Sequence, residues 1–290
     1  TCKKFKIETD MEKIHTAVCS FGMSGSVFHA PFLHSHPAFD FYAVWERSSN
    51  VAQQKYPQVK QYRLLQDMLA DEQVELVVVN TPNILHYAHT KMALLAGKHV
   101  VCEKPFTVNV IEADELIALA NERSLQLTVY QNRRFDSDFR TIHSVLEQNL
   151  LGDIIEAEFH FDRFKAALSP KTHKEVAMKG TGALYDLGAH LLDQALQLFG
   201  MPAAVFADIA SMRPGSVVDD YFEVLLYYPS KRVRIKGNYL VKEPLPGYIL
   251  HGRNGSFIKP KTDVQEAQLQ AGMLPDNALY GIEPAGERGL

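Results

Sequence analysis

At 290 residues, the chain has room for two domains with sizeable cores. A composition of 46% hydrophobic and 22% charged residues is that of an ordinary globular protein, not of a disordered or fibrous one. The net charge of −4, without any Lys/Arg block, excludes nucleic acid as the main partner, and no apolar run approaches the ~18 residues of a membrane helix. The start, Thr1-Cys-Lys-Lys-Phe-Lys6, lacks the long apolar segment of a signal peptide, so a cytoplasmic location is expected. The three cysteines, Cys2, Cys19 and Cys102, form no disulfide framework. Cys19 and Cys102 read as buried core thiols, with a catalytic nucleophile as the alternative. Twelve scattered histidines show no zinc-like spacing, so no metal is expected.

In chain order, Ile14–Cys19 reads as a strand followed by a glycine turn and a helix. Phe39–Trp45 is strand-like, Leu64–Ala70 a short helix, and Leu76–Val79 an apolar strand of the kind buried on both faces. Ile84–Ala96 reads as a helix between an Asn83 N-cap and a Gly97 C-cap. His99–Cys102 is a strand, Val110–Arg123 a helix and Gln126–Tyr130 a strand. This β-α-β order predicts a doubly wound parallel sheet, a Rossmann domain spanning 1–131.

Beyond it, Phe139–Asn149 reads as a helix and Ile155–Phe164 as a strand. The helix Ala183–Phe199 is closed by Gly200 and Pro202. Four strands follow, Val205–Ile209, Phe222–Tyr228, Val233–Tyr239 and Gly247–His251, the middle two forming a hairpin around Pro229-Ser230-Lys231. The second domain, 132–290, is therefore expected to be an α+β unit with a mainly antiparallel sheet. Its last thirty residues, rich in Gly, Pro, Ala and Glu, read as weakly structured.

Ser20-Phe-Gly22-Met23-Ser24-Gly25 matches the second and third glycines of the dinucleotide fingerprint, with Ser20 in place of the first. Gly22 lets backbone approach a pyrophosphate, Gly25 allows close helix–strand packing, and the helix N-terminus offers N–H groups. Glu46, at the end of the second strand, favours the ribose of NAD, whereas Arg47 and Ser48 can instead receive the 2′-phosphate of NADP. A solvated loop pair is the plain structural alternative. Asn80-Thr81-Pro82-Asn83, with His86, is a candidate contact for ribose and nicotinamide; an ordinary turn and a solvent-facing histidine are the alternatives.

Glu103-Lys104-Pro105 ends an apolar strand and puts an ammonium at the mouth of the sheet, where ligands of open α/β sheets bind, which makes Glu103 and Lys104 candidate cofactor contacts. Asp186 and His190 are four residues apart on one leucine-rich helix, with Tyr185 beside them as a candidate substrate contact. They form either a proton-transfer group with Lys104 or a structural pair. Arg133 and Arg134 are candidates for substrate oxygens, or for salt bridges to Asp136 or Asp138.

With these motifs in hand, the chain resembles the Gfo/Idh/MocA oxidoreductases from about Ile14 to about Gly286. The resemblance implies that Lys104 lies between nicotinamide and substrate, that His190 is the acid/base, and that Asp186 shares the site. An antiparallel sheet covered by helices on one face leaves the other to be buried or solvated, and Tyr221, Phe222, Tyr227, Tyr228 and Tyr239 supply aromatic surface for a homo-oligomer, most simply a dimer on the second sheet; the resemblance points the same way. It also implies roughly fifty further residues of the family pattern beyond Leu290. The expected reaction is reversible oxidation of a secondary alcohol of a sugar, cyclitol or polyol by NAD or NADP, NAD slightly preferred. An NAD-dependent glycosidase and an NAD(P)-binding regulator without turnover are the competing functions.

Overall fold

The computed structural model describes residues 12–170, 175–286 and 289–290. Cys2 and the Thr1–Lys6 start lie outside the described residues. Contacts group the chain into two units. The first takes the chain up to Glu103, with Ala113–Thr128 and Gln268–Tyr280; the second takes Lys104–Glu112, Val129–Ala267 and Gly281–Leu290.

The first unit is built on a six-stranded sheet, β1 (Ile14–Val18), β2 (Phe39–Trp45), β3 (Lys60–Tyr62), β4 (Leu76–Val79), β5 (His99–Glu103) and β6 (Leu127–Tyr130). The order is 3-2-1-4-5-6, and the paired strands from β3 to β5 run parallel. That order reverses between β1 and β4, the switch point where a doubly wound sheet opens a crevice. β4 is Leu-Val-Val-Val with its valines buried, as β-branched residues suit a strand covered on both faces. Helices α1 (Ala30–Ser35), α2 (Val51–Lys55), α3 (Leu65–Ala70), α4 (His86–Leu95) and α5 (Val110–Glu122) connect the strands.

Two local expectations change here. Asn83 does not cap α4: its Oδ1 takes the N–H of Ile84 at 2.9 Å, and a 3₁₀ turn, Asn83–Leu85, comes before the helix. Short Asx side chains readily bond neighbouring backbone, which displaces the cap. Gly97 does end the helix, at φ +76°, with its N–H on the Leu94 carbonyl.

In the second unit, α6 (Ser137–Glu147) and α7 (Ala189–Phe199) pack on a sheet of β7 (Ile154–His160), β8 (Ala204–Ala210), β9 (Tyr221–Tyr227), β10 (Arg232–Asn238), β11 (Tyr248–Gly252) and β12 (Ser256–Lys259). The order is 12-11-7-10-9-8, antiparallel except where β10 meets β7. Alternation decides the faces: Phe222, Val224 and Leu226 of β9, with Val233 and Ile235 of β10, are buried against the helices. Phe222 and Tyr228 are therefore core rather than surface; the Tyr228 hydroxyl donates to the Gly200 carbonyl at 2.8 Å. Short α8 (Gln265–Gln270) gives the tail more structure than its composition suggests.

Candidate functional site

At the sheet mouth of the first unit, the chain leaves β1 through Ser20 and enters a π-helical turn, Ser24–His29. Wider i→i+5 bonding of this kind often marks functional sites. A Cβ on Gly25 would stand 2.0 Å from the Ser20 carbonyl oxygen, so only glycine permits this approach. A Cβ on Gly22 would meet nothing nearer than Ser20 Oγ at 3.6 Å, which leaves open space over that position. Met23 is exposed. The Asn80 amide donates to the Ser20 carbonyl at 2.8 Å and ties the ends of β1 and β4 together. Its Oδ1 is buried with no partner, an acceptor waiting for a donor. Open space at Gly22 and this acceptor, both at the switch point, fit a dinucleotide.

Other expected nucleotide contacts are committed elsewhere. Glu46 is buried, and its carboxylate accepts from Ser49 Oγ (2.6 Å), Gln61 Nε2 (3.2 Å) and the Ala52 N–H (3.1 Å) in the first turn of α2. It caps a helix, while Arg47 and Ser48 stand exposed at the end of β2. His86 is 1% exposed rather than solvent-facing, because its Nε2 lies 2.8 Å from the Thr81 carbonyl oxygen. The Thr81 hydroxyl lies 3.0 Å from His89 Nδ1, and Pro82 is exposed. These bonds fix the β4 loop. Burial, then the charge of His86, pushes the His89 imidazole toward its neutral form.

Glu103 is held by partners that sequence reading missed. Ser24 Oγ donates to Glu103 Oε1 at 2.5 Å, and His29 Nε2 lies 2.8 Å from the same oxygen. Cys19 and Cys102 are buried, and burial pushes the Cys102 thiol up to about 12, which rules out a ready thiolate nucleophile.

In the second unit, Lys104 Nζ donates to the Asp186 carbonyl at 2.8 Å and to Asp186 Oδ1 at 3.3 Å. Asp186 lies in a second π-helical turn, Leu184–Gly188, which leads into α7. Asp219 shapes this entry by accepting the Leu184 N–H at 2.7 Å. Gly182, at φ +98°, has no room for a Cβ, which would stand 1.8 Å from Asp219 Oδ1. The π turn breaks the simple four-residue stacking. Asp186 pairs with Lys104, and His190 Nδ1 is buried without a partner. Burial, then the charges of Lys104 and Arg133, drives His190 well below the usual imidazole range; Asp186 opposes this and Lys261 adds to it. The ring is therefore neutral at neutral pH.

One turn beyond His190, Gln194 donates to the Arg133 carbonyl at 2.9 Å and accepts from the Tyr248 hydroxyl at 3.1 Å. Arg133 pairs with Asp136 at 3.4 Å and with Glu266. Arg134 makes a bidentate pair with Asp193, at 2.7 and 2.5 Å, and not with Asp136 or Asp138. It braces α7 and has little left to offer a substrate. Tyr185 reaches the Val108 carbonyl at 3.4 Å. Burial raises Asp136 to about 7 despite Arg133, with Asp138 and Asp263 adding to the rise.

Two family models match the chain. "Oxidoreductase family, NAD-binding Rossmann fold" covers 14–131, and "GFO/IDH/MocA C-terminal domain" covers 139–258. An uncharacterized oxidoreductase of Schizosaccharomyces pombe is 43% identical over 94% of this chain and 77% of its own length. The scyllo-inositol 2-dehydrogenase (NADP(+)) of Bacillus subtilis is 36% identical over 94% of this chain and 76% of its own. The crystal structure of an oxidoreductase from Bacillus cereus superposes with a TM-score of 0.89 at 36% identity, covering 96% of this chain and 79% of the other.

Proposed function

Because the chain belongs to the Gfo/Idh/MocA family of NAD(P)-binding oxidoreductases, we propose that it reversibly oxidises a secondary alcohol of a sugar, cyclitol or related polyol. The observation that carries this reading is the group in the second unit: an ammonium on Asp186 and an imidazole kept neutral close by. The B. subtilis relative, named for scyllo-inositol, supports the substrate class. When bound, the dinucleotide supplies the hydride acceptor. The side chains do the rest: His190 takes the hydroxyl proton, Lys104 donates to the substrate oxygen and stabilises developing negative charge, and Asp186 holds Lys104 in place. A panel of polyols and aldoses, assayed with NAD and with NADP for reduced nicotinamide, tests it. No turnover across the panel would overturn it.

A base must be unprotonated to act, and His190 sheds its proton below the reference of about 6.5. The acid limb of kcat/KM for alcohol oxidation is therefore expected below pH ~6.5. Replacing Lys261 by methionine removes a repelling cation and should move that limb to higher pH. A wild-type limb above the ordinary histidine value would contradict the role given to His190.

For the nucleotide, NADP should bind at least as tightly as NAD, the reverse of the preference that Glu46 suggests from sequence. The Glu46 carboxylate is engaged by three donors, and the exposed Arg47 and Ser48 are the groups left beside it. Side-by-side titration should show Arg47→Ala losing about tenfold in NADP affinity, the scale of a charge-assisted hydrogen bond. Tighter NAD binding by the wild type would restore the Glu46 reading.

A homodimer on the open face of the second sheet completes the proposal. Phe206 is 60% exposed, and its cross-strand partner Leu225 shares its face. Light scattering at micromolar concentration should give twice the chain mass; a monomer would rule the dimer out.

A further inference from the structure

One aromatic ring in the second unit gathers an unusual number of cations. Lys261 Nζ lies 4.5 Å from the Phe161 ring centroid, Arg163 Cζ 4.9 Å and Arg133 Cζ 5.9 Å. The fold builds this arrangement deliberately. Phe161 and Arg163 extend β7, their N–H groups donating to Lys236 and Asn238 carbonyls at 2.9 Å. Lys261 lies against Gly247, where a Cβ would stand 2.5 Å from its Cγ. Its ammonium is also 5.3 Å from the ring of Tyr248, the residue that bonds Gln194 one turn beyond His190.

The cations differ in how they are balanced. Arg133 is paired with Asp136 and Glu266. Lys261 feels Asp138, Asp136 and Asp263 but makes no hydrogen bond or ion pair among the described residues. Of those acids, Asp138 is occupied by the Thr262 N–H at 2.9 Å, and Asp263 by the Ser137 N–H at 3.0 Å. Arg163 likewise has no side-chain hydrogen bond or carboxylate partner among the described residues, and it is only partly exposed. A guanidinium with no carboxylate partner and an ammonium with no hydrogen bond, both partly buried on one ring, are groups that a ligand anion would satisfy. Both connect to the reactive group through Gln194, one turn beyond His190: Lys261 lies on the ring of Tyr248, whose hydroxyl donates to Gln194, and Arg163 shares the Phe161 ring with Arg133, whose carbonyl accepts from Gln194.

We propose that Arg163 and Lys261 receive an anionic substituent of the substrate, so that the alcohol oxidised belongs to a sugar acid or a sugar phosphate. The inference rests on the dehydrogenase reading above and narrows its substrate class. A single carboxylate or phosphate ester supplies the chemistry in either case, and the two sources are separable.

The test compares D-glucose, D-galactose and D-mannose with their uronates and their 6-phosphates, by turnover with NAD(P) and by calorimetric binding. The wild type should favour one anionic series by about tenfold to a hundredfold in kcat/KM, the scale of a hydrogen bond between charged groups. Whichever series wins identifies the anion. Arg163→Gln and Lys261→Gln, made separately, should each reduce the anionic-to-neutral ratio about tenfold. Arg163→Lys should restore part of it. Equal or better use of the neutral sugars by the wild type overturns this inference and leaves the dehydrogenase reading standing. Anion binding that is lost in Arg163→Gln, without turnover of any sugar, supports the anion site while the dehydrogenase reading fails. Neither anion binding nor turnover overturns both.

Discussion

Replacing His190 by asparagine should lower alcohol oxidation by roughly 10²–10⁴-fold, the usual cost of losing an acid/base group. Thermal stability and NAD(P) affinity should stay near wild type. The physical reason lies in what the imidazole lacks. His190 is only 6% exposed, yet its Nδ1 has no partner. A buried polar atom without a hydrogen bond costs stability, so removing it breaks no bond that supports the fold. The volume lost is small, and the melting temperature should move by no more than a few degrees. Lys104→Met should also lose rate, through a different route: it removes the donor to the Asp186 carbonyl and carboxylate. Were His190→Asn to unfold the protein while a refolded fraction stayed fully active, the imidazole would be a structural group.

The parts of this fold that sequence reveals are those with a strong period. The Leu-Val-Val-Val of β4 and the alternation of β9 and β10 carry their own burial pattern. Three-residue β3 and five-residue α2 are too short to show a period and form because neighbours hold them. Neither π-helical turn has a local signal, since i→i+5 bonding has no apolar spacing of its own. For the candidate site, Lys104, Asp186 and His190 stand out by residue type and position. What surrounds them does not, because the partners are distant in sequence. Ser24 and His29 reach Glu103 across 79 and 74 positions, and Arg134 reaches Asp193 across 59. Residue type and the place at the end of the second strand make Glu46 a candidate ribose ligand. The capping bond to the Ala52 N–H that turns it inward depends on how β2 and α2 meet.

The two glycines of the turn after β1 should respond to substitution in opposite ways. Gly25→Ala should destabilise the protein by about 3 kcal/mol, the upper range for overpacking. Its Cβ would stand 2.0 Å from a backbone oxygen and 2.9 Å from Asn80 Nδ2, so neither the turn nor its tie to β4 can yield cheaply. A loss of that size should lower the melting temperature by roughly 6–12 °C, read by calorimetry. Gly22→Val should leave melting nearly unchanged, because the nearest atom to its Cβ is a serine hydroxyl at 3.6 Å. What it fills is the open space where backbone is free to approach a pyrophosphate. Dinucleotide affinity should then fall tenfold or more, about 1.4 kcal/mol, in a titration of the folded variant. Full affinity in Gly22→Val would place the pyrophosphate elsewhere and remove the main support for a nucleotide site at this turn. A Gly25→Ala protein that melts like wild type would show that the turn can open, and the tight β1–β4 packing would then have no claim on glycine.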